Sequence, residues 1–568
     1  MFRRWLHETL THMHPGHLFD VLVPPDAAMG DYSVNLAFVL AKSTKSPPAG
    51  GPREVAQALC DSLFAEGGEM IERCEVAGPG FVNIFLKDAY LETQLLKGPF
   101  HIPNDGQGKK VIVEYSAPNI AKPMHVGHLR STIIGDALAR VYRALGYDVV
   151  RWNYLGDWGT QFGKLIAAYR KWGNQEELDR DPIGTMLKLY VRFHDELKSD
   201  PSLETVGQEE FRKLEAGDAE NRALWKSFRD HSLTEFNRMY AMLGVTFDVF
   251  KGESDYEAAL AGVIAQLQEK GLAKESQGAL IVDLEQFGLP VAMVRKTDGA
   301  TLYLTRDIAS LEDRIASHKP DKILYVVANQ QALHFEQLFA VAQLLKLGPT
   351  QLSHVKFGMV LGDDGKKLAT REGKTVALQD VIDEIVNRAS AVVRAKNDSL
   401  SEEQITQIAQ TVGIGALKYN DLRQHPYSDI VFDWDAMLDL GGNSGPYLQY
   451  AYARLSGIIT KADVKGPLSH RAEGVPSPLN HPSERALMRH LLDFGDAVAG
   501  CARLHTLNGL ALYLYELAEK SNRFYELVHI NDDDNAARKA ARLHLVTAVM
   551  DTLKRGLDLL GIQTLERI

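Results

Sequence analysis

The sequence predicts an α/β protein: a parallel sheet split by a helical insertion, with a small α+β unit before it and an all-helical domain after it. Three observations predict this. The apolar run VIVEYSA (111–117), a loop, the amphipathic run LRSTIIGDALARVYRALG (129–146) and a second apolar run, YDVVRWNYLG (147–156), follow as strand, loop, helix, strand, which is the repeating unit of a parallel sheet. Charged segments of helical periodicity (KLYVRFHDELK, EEFRKLEAGD, LTEFNRMYAML) then replace the strand signals, which resume at ALIVDL (279–284) and ILYVVAN (323–329), so one sheet is expected to contain both halves. From about residue 430 helix signals dominate.

Length and composition narrow the class. The 568 residues make roughly four domains at ~150 residues each. A hydrophobic content of 45% excludes a largely disordered chain. No apolar stretch approaches the roughly 20 residues needed to span a bilayer. With 63 basic and 74 acidic side chains the net charge is −11, so a nucleic acid partner must be held by local basic patches against a repulsive overall field. Cys60, Cys74 and Cys501 show no C-x-x-C spacing. That argues against a disulfide framework or a sulfur-ligated zinc, and it suits a reducing, cytoplasmic compartment. The N-terminus lacks the apolar segment of a secretory signal.

Taken in order, residues 1–100 form the α+β unit. Helical periodicity at 35–42 and 55–64 flanks the turn-prone TKSPPAGGP, and GFVNIFL (80–86) alternates like a strand. The Pro- and Gly-bearing PFHIPNDGQGKK marks the linker into the first half of the sheet domain, 101–172. The helical insertion occupies 173–260 and the second half of the sheet domain 261–360. A basic loop region, 361–428, leads to the helical domain, 429–568.

The chemistry concentrates at two places. His125-Val126-Gly127-His128 lies between a predicted strand and a predicted helix. By itself the H-x-G-H pattern arises in about one shuffled chain in twenty, so context carries the signal. A helix N-terminus after the carboxyl end of a parallel strand offers N–H dipoles to phosphate. The glycine admits a nucleotide close to the backbone, and the imidazoles donate to oxygens whose charge grows during displacement at phosphorus. A two-histidine metal site and a pair of surface histidines are the alternatives, and no further ligands for a metal are apparent. The second place is LGDDGKKLATREGK (361–374), where Lys366, Lys367, Arg371 and Lys374 crowd a turn-rich loop suited to closing over a triphosphate. A solvated basic turn is the alternative.

The stretch EYSAPNIAKPMHVGHLRSTIIGDALAR with NYLGDWGTQFGKL resembles the arginyl-tRNA synthetases, a family of class I aminoacyl-tRNA synthetases. The resemblance continues through LEAGDAENRALWKSFRDHSLTEFNRMY, RKTDGATLYLTRDIA, YVVANQQALHFEQLF and GGNSGPYLQYAYARLSGI, and into the N-terminal unit at GDYSVNLAFVLAK and AGPGFVNIFL. It implies a Rossmann-like class I sheet, an appended N-terminal tRNA-binding domain and a C-terminal anticodon-binding domain, with 361–428 joining the lysine loop to a stem-contact region. The implied reaction activates L-arginine with ATP and magnesium, forms arginyl-adenylate and charges arginine tRNA, in a monomer.

The resemblance also implies site residues. His125 and His128 act in catalysis, and with Gly127 they bind ATP. Glu114 and Asp307 fall where the family places the carboxylates that receive the guanidinium, whose rigid fork of donors pairs best with planar acceptors. Tyr303 lines the same pocket, and Asn119 and Gln331 hold the α-amino end. Lys367-Leu368-Ala369-Thr370-Arg371 departs from the class pattern K-M-S-K-S by placing Thr370 at the second lysine. The family resemblance implies that Lys122 substitutes for it, with Lys366 and Arg371 as helpers. For tRNA, Tyr447, Gln449, Tyr450, Tyr452 and Arg454 on one helix, together with Asn522, Arg523 and Tyr525, match the anticodon-binding surface, where aromatic faces suit unstacked bases. Aromatic residues at helical spacing are equally a core pattern. Two rivals remain: a catalytically inactive RNA-binding relative, and a nucleotidyltransferase, which has no need of the terminal domains.

Overall fold

The computed structural model of the protein describes residues 1–43, 51–98, 101–297, 299, 301–362, 368, 376–397, 399–462 and 478–567. At the N-terminus, the helix Phe2–Met13 packs with a four-stranded antiparallel sheet in the order Val21–Leu22, Tyr32–Val34, Phe81–Leu86, Ile71–Ala77, and with helices Leu36–Ser43 and Gly51–Gly67. Cys60 on the second of these helices is buried, and all three thiols are free.

The central sheet has five parallel strands. They are β1 (Lys110–Glu114), β2 (Asp148–Leu155), β3 (Val249–Gly252), β4 (Lys322–Ala328) and β5 (Gln351–Phe357), in the order β5-β4-β1-β2-β3. Because side chains alternate across a strand, the sheet divides its apolar residues between two cores. Val111, Val113, Leu324 and Val326 pack with the helix α1 (Val126–Ala144) in one. Ile112, Trp152, Ile323 and Tyr325 pack with α3 (Tyr303–His318) in the other. Glu114 pairs in register with Tyr325 on one side and Trp152 on the other. It therefore shares their face, at the carboxyl end of β1.

Two sequence expectations change here. The run ALIVDL does not join the parallel sheet: Ala279–Val282 is the centre of a separate three-stranded antiparallel sheet with Ala273–Ser276 and Ala292–Arg295. A short, fully buried apolar run reads the same in either setting. Conversely, β3 lies within the range assigned to the insertion and closes the sheet beside β2. The inserted helices Pro182–Leu197, Ser202–Glu215 and α2 (Ala219–Leu243) precede it.

Helix α4 (Glu402–Leu422) leads to the C-terminal helices α5 (Gly445–Lys461), Pro482–Leu491, Phe494–Leu504, α6 (Asn508–Leu527) and Ala536–Leu559. Two buried links run through α4, one to the sheet domain and one to the C-terminal segment. Arg130 on α1 is fully buried and meets both oxygens of Asp421 on α4, with Nε at 3.0 Å and Nη2 at 3.2 Å, and it also donates to the carbonyls of Ser428 and Pro426. Lys418 donates to the Gly561 carbonyl at 2.6 Å.

The GDYSVN segment serves the docking of the N-terminal domain onto the bundle. Arg485 grips Asp31 with two 2.8 Å bonds. Arg489 reaches the Asp31 carbonyl at 3.0 Å and Asp493 at 2.8 Å, and its guanidinium lies 4.2 Å from the Tyr32 ring centre. Tyr32 donates to Asp493 at 2.7 Å. Removing one partner of a buried ion pair strands the other charge. Arg489→Met should therefore lower stability by about 3–5 kcal/mol and open the N-terminal domain to protease. An unchanged denaturation midpoint would contradict this role.

Candidate active site

The loop from β1 into α1 carries three non-glycine residues in the left-handed region, Ser116 (φ 73°), Ala117 (φ 45°) and Ala121 (φ 62°). Such residues cost on the order of 1–3 kcal/mol each and persist only where their surroundings enforce them. A buried polar network enforces them here. The Ser116 N–H donates to Ser131 Oγ at 2.8 Å, and Ser131 donates on to the Val326 carbonyl at 2.6 Å. Ser116 Oγ lies 2.7 Å from the Tyr240 hydroxyl, which accepts from Asn153 at 2.9 Å, and Ser232 Oγ accepts from the Ala121 N–H at 2.9 Å. Ser232 and Tyr240 belong to α2, so the insertion braces the loop. None of these residues carries a recognisable spacing, and sequence reasoning missed them.

At the end of this loop His125 caps α1. Its Nδ1 accepts from the Gly127 N–H at 3.0 Å, while His128 Nδ1 accepts from the His125 N–H at 3.1 Å, and the ring centres stand 3.8 Å apart. A ring nitrogen that accepts an N–H carries no proton, so both imidazoles present Nε2–H as the donor. Burial, with a smaller contribution from His125, pushes His128 down to about 3, so that ring is neutral above pH ~4. Gly127 is held to its size by His125: a Cβ there would lie 2.9 Å from His125 Cε1. If the reaction is the one the family resemblance implies, Gly127→Ala should displace the His125 ring by tenths of an ångström and slow adenylate formation about tenfold with little change in melting temperature. A wild-type rate of ATP–pyrophosphate exchange would refute this constraint.

Lys122, half-buried, points its ammonium at the Tyr190 ring, 4.8 Å from its centre, and has no carboxylate partner among the described residues. Asn119 is exposed and bridges to Gly156, where a Cβ would lie 2.1 Å from Asn119 Oδ1. Glycine at 156 is thus what lets this loop lie against the end of β2. Lys366, Lys367 and Arg371 lie outside the described residues.

Glu114 and Asp307 lie close enough for the charge of Asp307 to act on Glu114. Glu114 is 4% exposed, and burial raises its pKa, with Arg314 opposing and Asp307 adding to the rise. Its Oε2 contacts Arg314 Nη1. Asp307, on the same face of α3 as Arg314 and two turns before it, pairs through Oδ2 with His334 Nε2 at 2.6 Å. Asp307 thus has one oxygen hydrogen-bonded and the other without a hydrogen bond among the described residues, whereas Glu114 Oε2 meets Arg314 as a charge contact only and neither Glu114 oxygen makes a hydrogen bond among the described residues. Tyr303, at the start of α3, is 62% exposed, and Gln331 is exposed in the turn Asn329–Gln331 just before His334. A third acid was not anticipated. Glu253, immediately after β3, is pushed up to about 8, chiefly by burial, with Asp307, Asp157 and Glu257 adding to the rise against Arg306.

In the helical bundle five of the predicted residues form one cluster. Asn522 donates to the Tyr447 hydroxyl at 2.8 Å and accepts from Arg454 at 2.8 Å, while the Arg454 guanidinium lies 4.9 Å from the Tyr450 ring centre and 6.0 Å from that of Tyr525. Gln449 is elsewhere. It is fully buried, and its amide donates to the carbonyls of Thr411 and Gln563. It faces α4 because Gly415 and Gly445 let α4 and α5 approach closely: a Cβ on Gly445 would lie 2.6 Å from the Gly415 carbonyl. Tyr452 is likewise buried.

Comparison with known proteins accounts for the whole chain. Residues 91–434 match the family of class I (R) tRNA synthetase catalytic domains, residues 448–568 the DALR anticodon binding domain, and residues 3–86 the arginyl tRNA synthetase N-terminal domain. The arginine–tRNA ligase of Clostridium botulinum is 40% identical over 553 residues, covering 96% of this chain and 95% of that protein. That of Halothermothrix orenii is 39% identical, covering 97% and 96%. Among solved structures, Thermus thermophilus arginyl-tRNA synthetase superposes with a TM-score of 0.84 at 27% identity over the full length of both chains. The Plasmodium falciparum enzyme gives 0.82 at 27% identity, over 100% of this chain and 98% of that one. With all three of its domains matched and relatives of this similarity aligned from end to end, the chain belongs to the arginyl-tRNA synthetase family.

Proposed function

We infer that the protein ligates L-arginine to the 3′ end of arginine tRNA with ATP, through an enzyme-bound arginyl-adenylate. An oxygen of the arginine carboxylate attacks the α-phosphorus of ATP. The new P–O bond forms as the bond to the bridging oxygen breaks, and pyrophosphate departs. A ribose hydroxyl of the terminal adenosine of the tRNA then attacks the activated carbonyl carbon, AMP leaves with the electron pair of the broken C–O bond, and the hydroxyl proton passes to the departing phosphate or to water.

Nothing in the first step demands a proton carrier, so positioning and charge stabilisation supply the catalysis. In this reading the Nε2–H groups of His125 and His128 donate to phosphate oxygens as their charge increases, Gly127 admits the nucleotide, and Lys122 neutralises the departing pyrophosphate. Glu114 and Asp307 receive the guanidinium, Tyr303 lines the same pocket, and Asn119 and Gln331 hold the α-amino end. Magnesium enters with the triphosphate, as its reluctance to shed water favours; among the described residues no group of three or more His, Cys, Asp or Glu side chains gathers to hold a metal. The Tyr447–Asn522–Arg454–Tyr450 cluster is a platform for unstacked anticodon bases. The enzyme works as a cytoplasmic monomer.

The observation that supports the substrate assignment most is the closeness of Glu114 and Asp307, each with an oxygen that makes no hydrogen bond among the described residues. Exchange assays with all twenty amino acids, with and without bulk tRNA, test it. Exchange with arginine alone, dependent on tRNA, is the expected result. Activation of lysine or glutamine, or of nothing when tRNA is supplied, would overturn it.

A further inference from the structure

We propose that Arg314 is a positioning residue for the arginine pocket: held in an aromatic box beside Glu114, it ties down one carboxylate oxygen and leaves the other to the substrate's guanidinium. The inference rests on the arginine-binding role given to Glu114 above.

Arg314 is 1% exposed on its side chain. Its guanidinium carbon lies 4.7 Å from the Trp152 ring centre, 5.5 Å from that of Tyr154 and 5.4 Å from that of Tyr325. Trp152 and Tyr325 are the register partners of Glu114 on β2 and β4, so three adjacent strands and α3 together fix where the cation sits. Its Nη1 lies against Glu114 Oε2 as a charge contact without hydrogen-bond geometry, and its buried Nε–H finds no hydrogen-bond partner among the described residues either. A well-packed apolar side chain would satisfy this site at lower cost than a buried, incompletely bonded guanidinium. The charge therefore needs a purpose other than stability, and Glu114 is its nearest partner.

The groups facing Glu114 show what that purpose is. Asp307 from α3 raises the Glu114 pKa in concert with burial. Arg314 opposes both most strongly, and His334 from the following helix helps. Tyr154 and Tyr325 present hydroxyls that burial keeps protonated, and Glu253 faces Asp307 from the end of β3. Without Arg314, burial and Asp307 act on Glu114 with His334 opposing them, and its pKa rises further. The pocket then loses both a charge and a fixed acceptor.

The test measures KM for arginine and for ATP from pH 6 to 8.5, with tRNA present, for Arg314→Met, Arg314→Gln, Arg314→Lys, Glu114→Gln and the Arg314→Met/Glu114→Gln double variant. Arg314→Met should raise the arginine KM about tenfold or more at pH 7 while moving the ATP KM less than about twofold. Its arginine KM should fall as the pH rises, because Glu114 regains its charge. Arg314→Lys should recover most of the loss, and in the Glu114→Gln background Arg314→Met should add less than about twofold. An arginine KM at the wild-type value and independent of pH in Arg314→Met would overturn the proposal, as would losses that multiply in the double variant. If Arg314→Met does not fold, Arg314→Gln, which removes the charge and keeps polar capacity, carries the decision: an arginine KM higher than that of the wild type and falling as the pH rises supports the role, and one matching the wild type at every pH refutes it. Failure of the underlying pocket assignment has a different signature, an unchanged arginine KM in Glu114→Gln alone.

Discussion

Asp307→Asn should lower kcat/KM for arginine by about a thousandfold, or roughly 4 kcal/mol, with the KM for ATP nearly unchanged. The substitution preserves shape and removes charge. It leaves a substrate guanidinium to face a neutral amide whose NH₂ group repels the fork it should receive. His334, now bonded 2.6 Å from Asp307 Oδ2, loses its carboxylate as well, so the ring that orients the acid also loosens. A loss of this size in steady-state charging, with circular dichroism and melting unaffected, is the expected result. A change below about fivefold would mean that Asp307 does not meet the substrate's charge.

His128→Ala is the second large effect. Its Nε2–H is a preorganised donor whose orientation is set by the His125 N–H bond to Nδ1, and removing one such donor from a site of developing charge costs about 10²–10³ in rate. ATP–pyrophosphate exchange should fall by that factor, while affinity for arginine tRNA, measured by filter binding, stays the same. Because burial holds His128 near 3, its neutral form persists from pH 8 down through pH 5. The exchange rate of the wild type should accordingly show no imidazole loss near 6.5 from this ring. Wild-type turnover in His128→Ala would remove the residue from the mechanism.

The contiguous features of the site were legible in the sequence. The H-x-G-H segment sits where a strand gives way to a helix, so its place at a helix N-terminus followed from local pattern alone, whereas Glu114 came from the family resemblance and proves to end β1 rather than to lie inside a strand running to 117. What escaped notice depends on register and packing. Arg314 meets Glu114 only because β1 pairs with β2 and β4 so as to flank the acid with Trp152 and Tyr325; nothing in RDIASLEDRIA announces that contact. His334 is similarly hidden: nothing in QQALHFEQLF marks the ring that pairs with Asp307. The buried run at 279–282 could not reveal whether its neighbours would be parallel or antiparallel. Gln449 shows the same limit on a helix: the stripe of polar and aromatic side chains on α5 does not say which face meets α4, and two glycines at the crossing decided it. Left-handed backbone at Ser116, Ala117 and Ala121 is invisible in residue type, since serine and alanine have no preference for it.

Whether Glu114 and Asp307 hold a single cation between them is decided by a double-mutant cycle on arginine kcat/KM, using Glu114→Gln, Asp307→Asn and the combination in the presence of tRNA. Two acids on one guanidinium are coupled, so the combined loss should fall short of the product of the single losses by about tenfold or more. Losses that multiply to within about twofold would place the two acids on separate tasks and contradict the pocket described here.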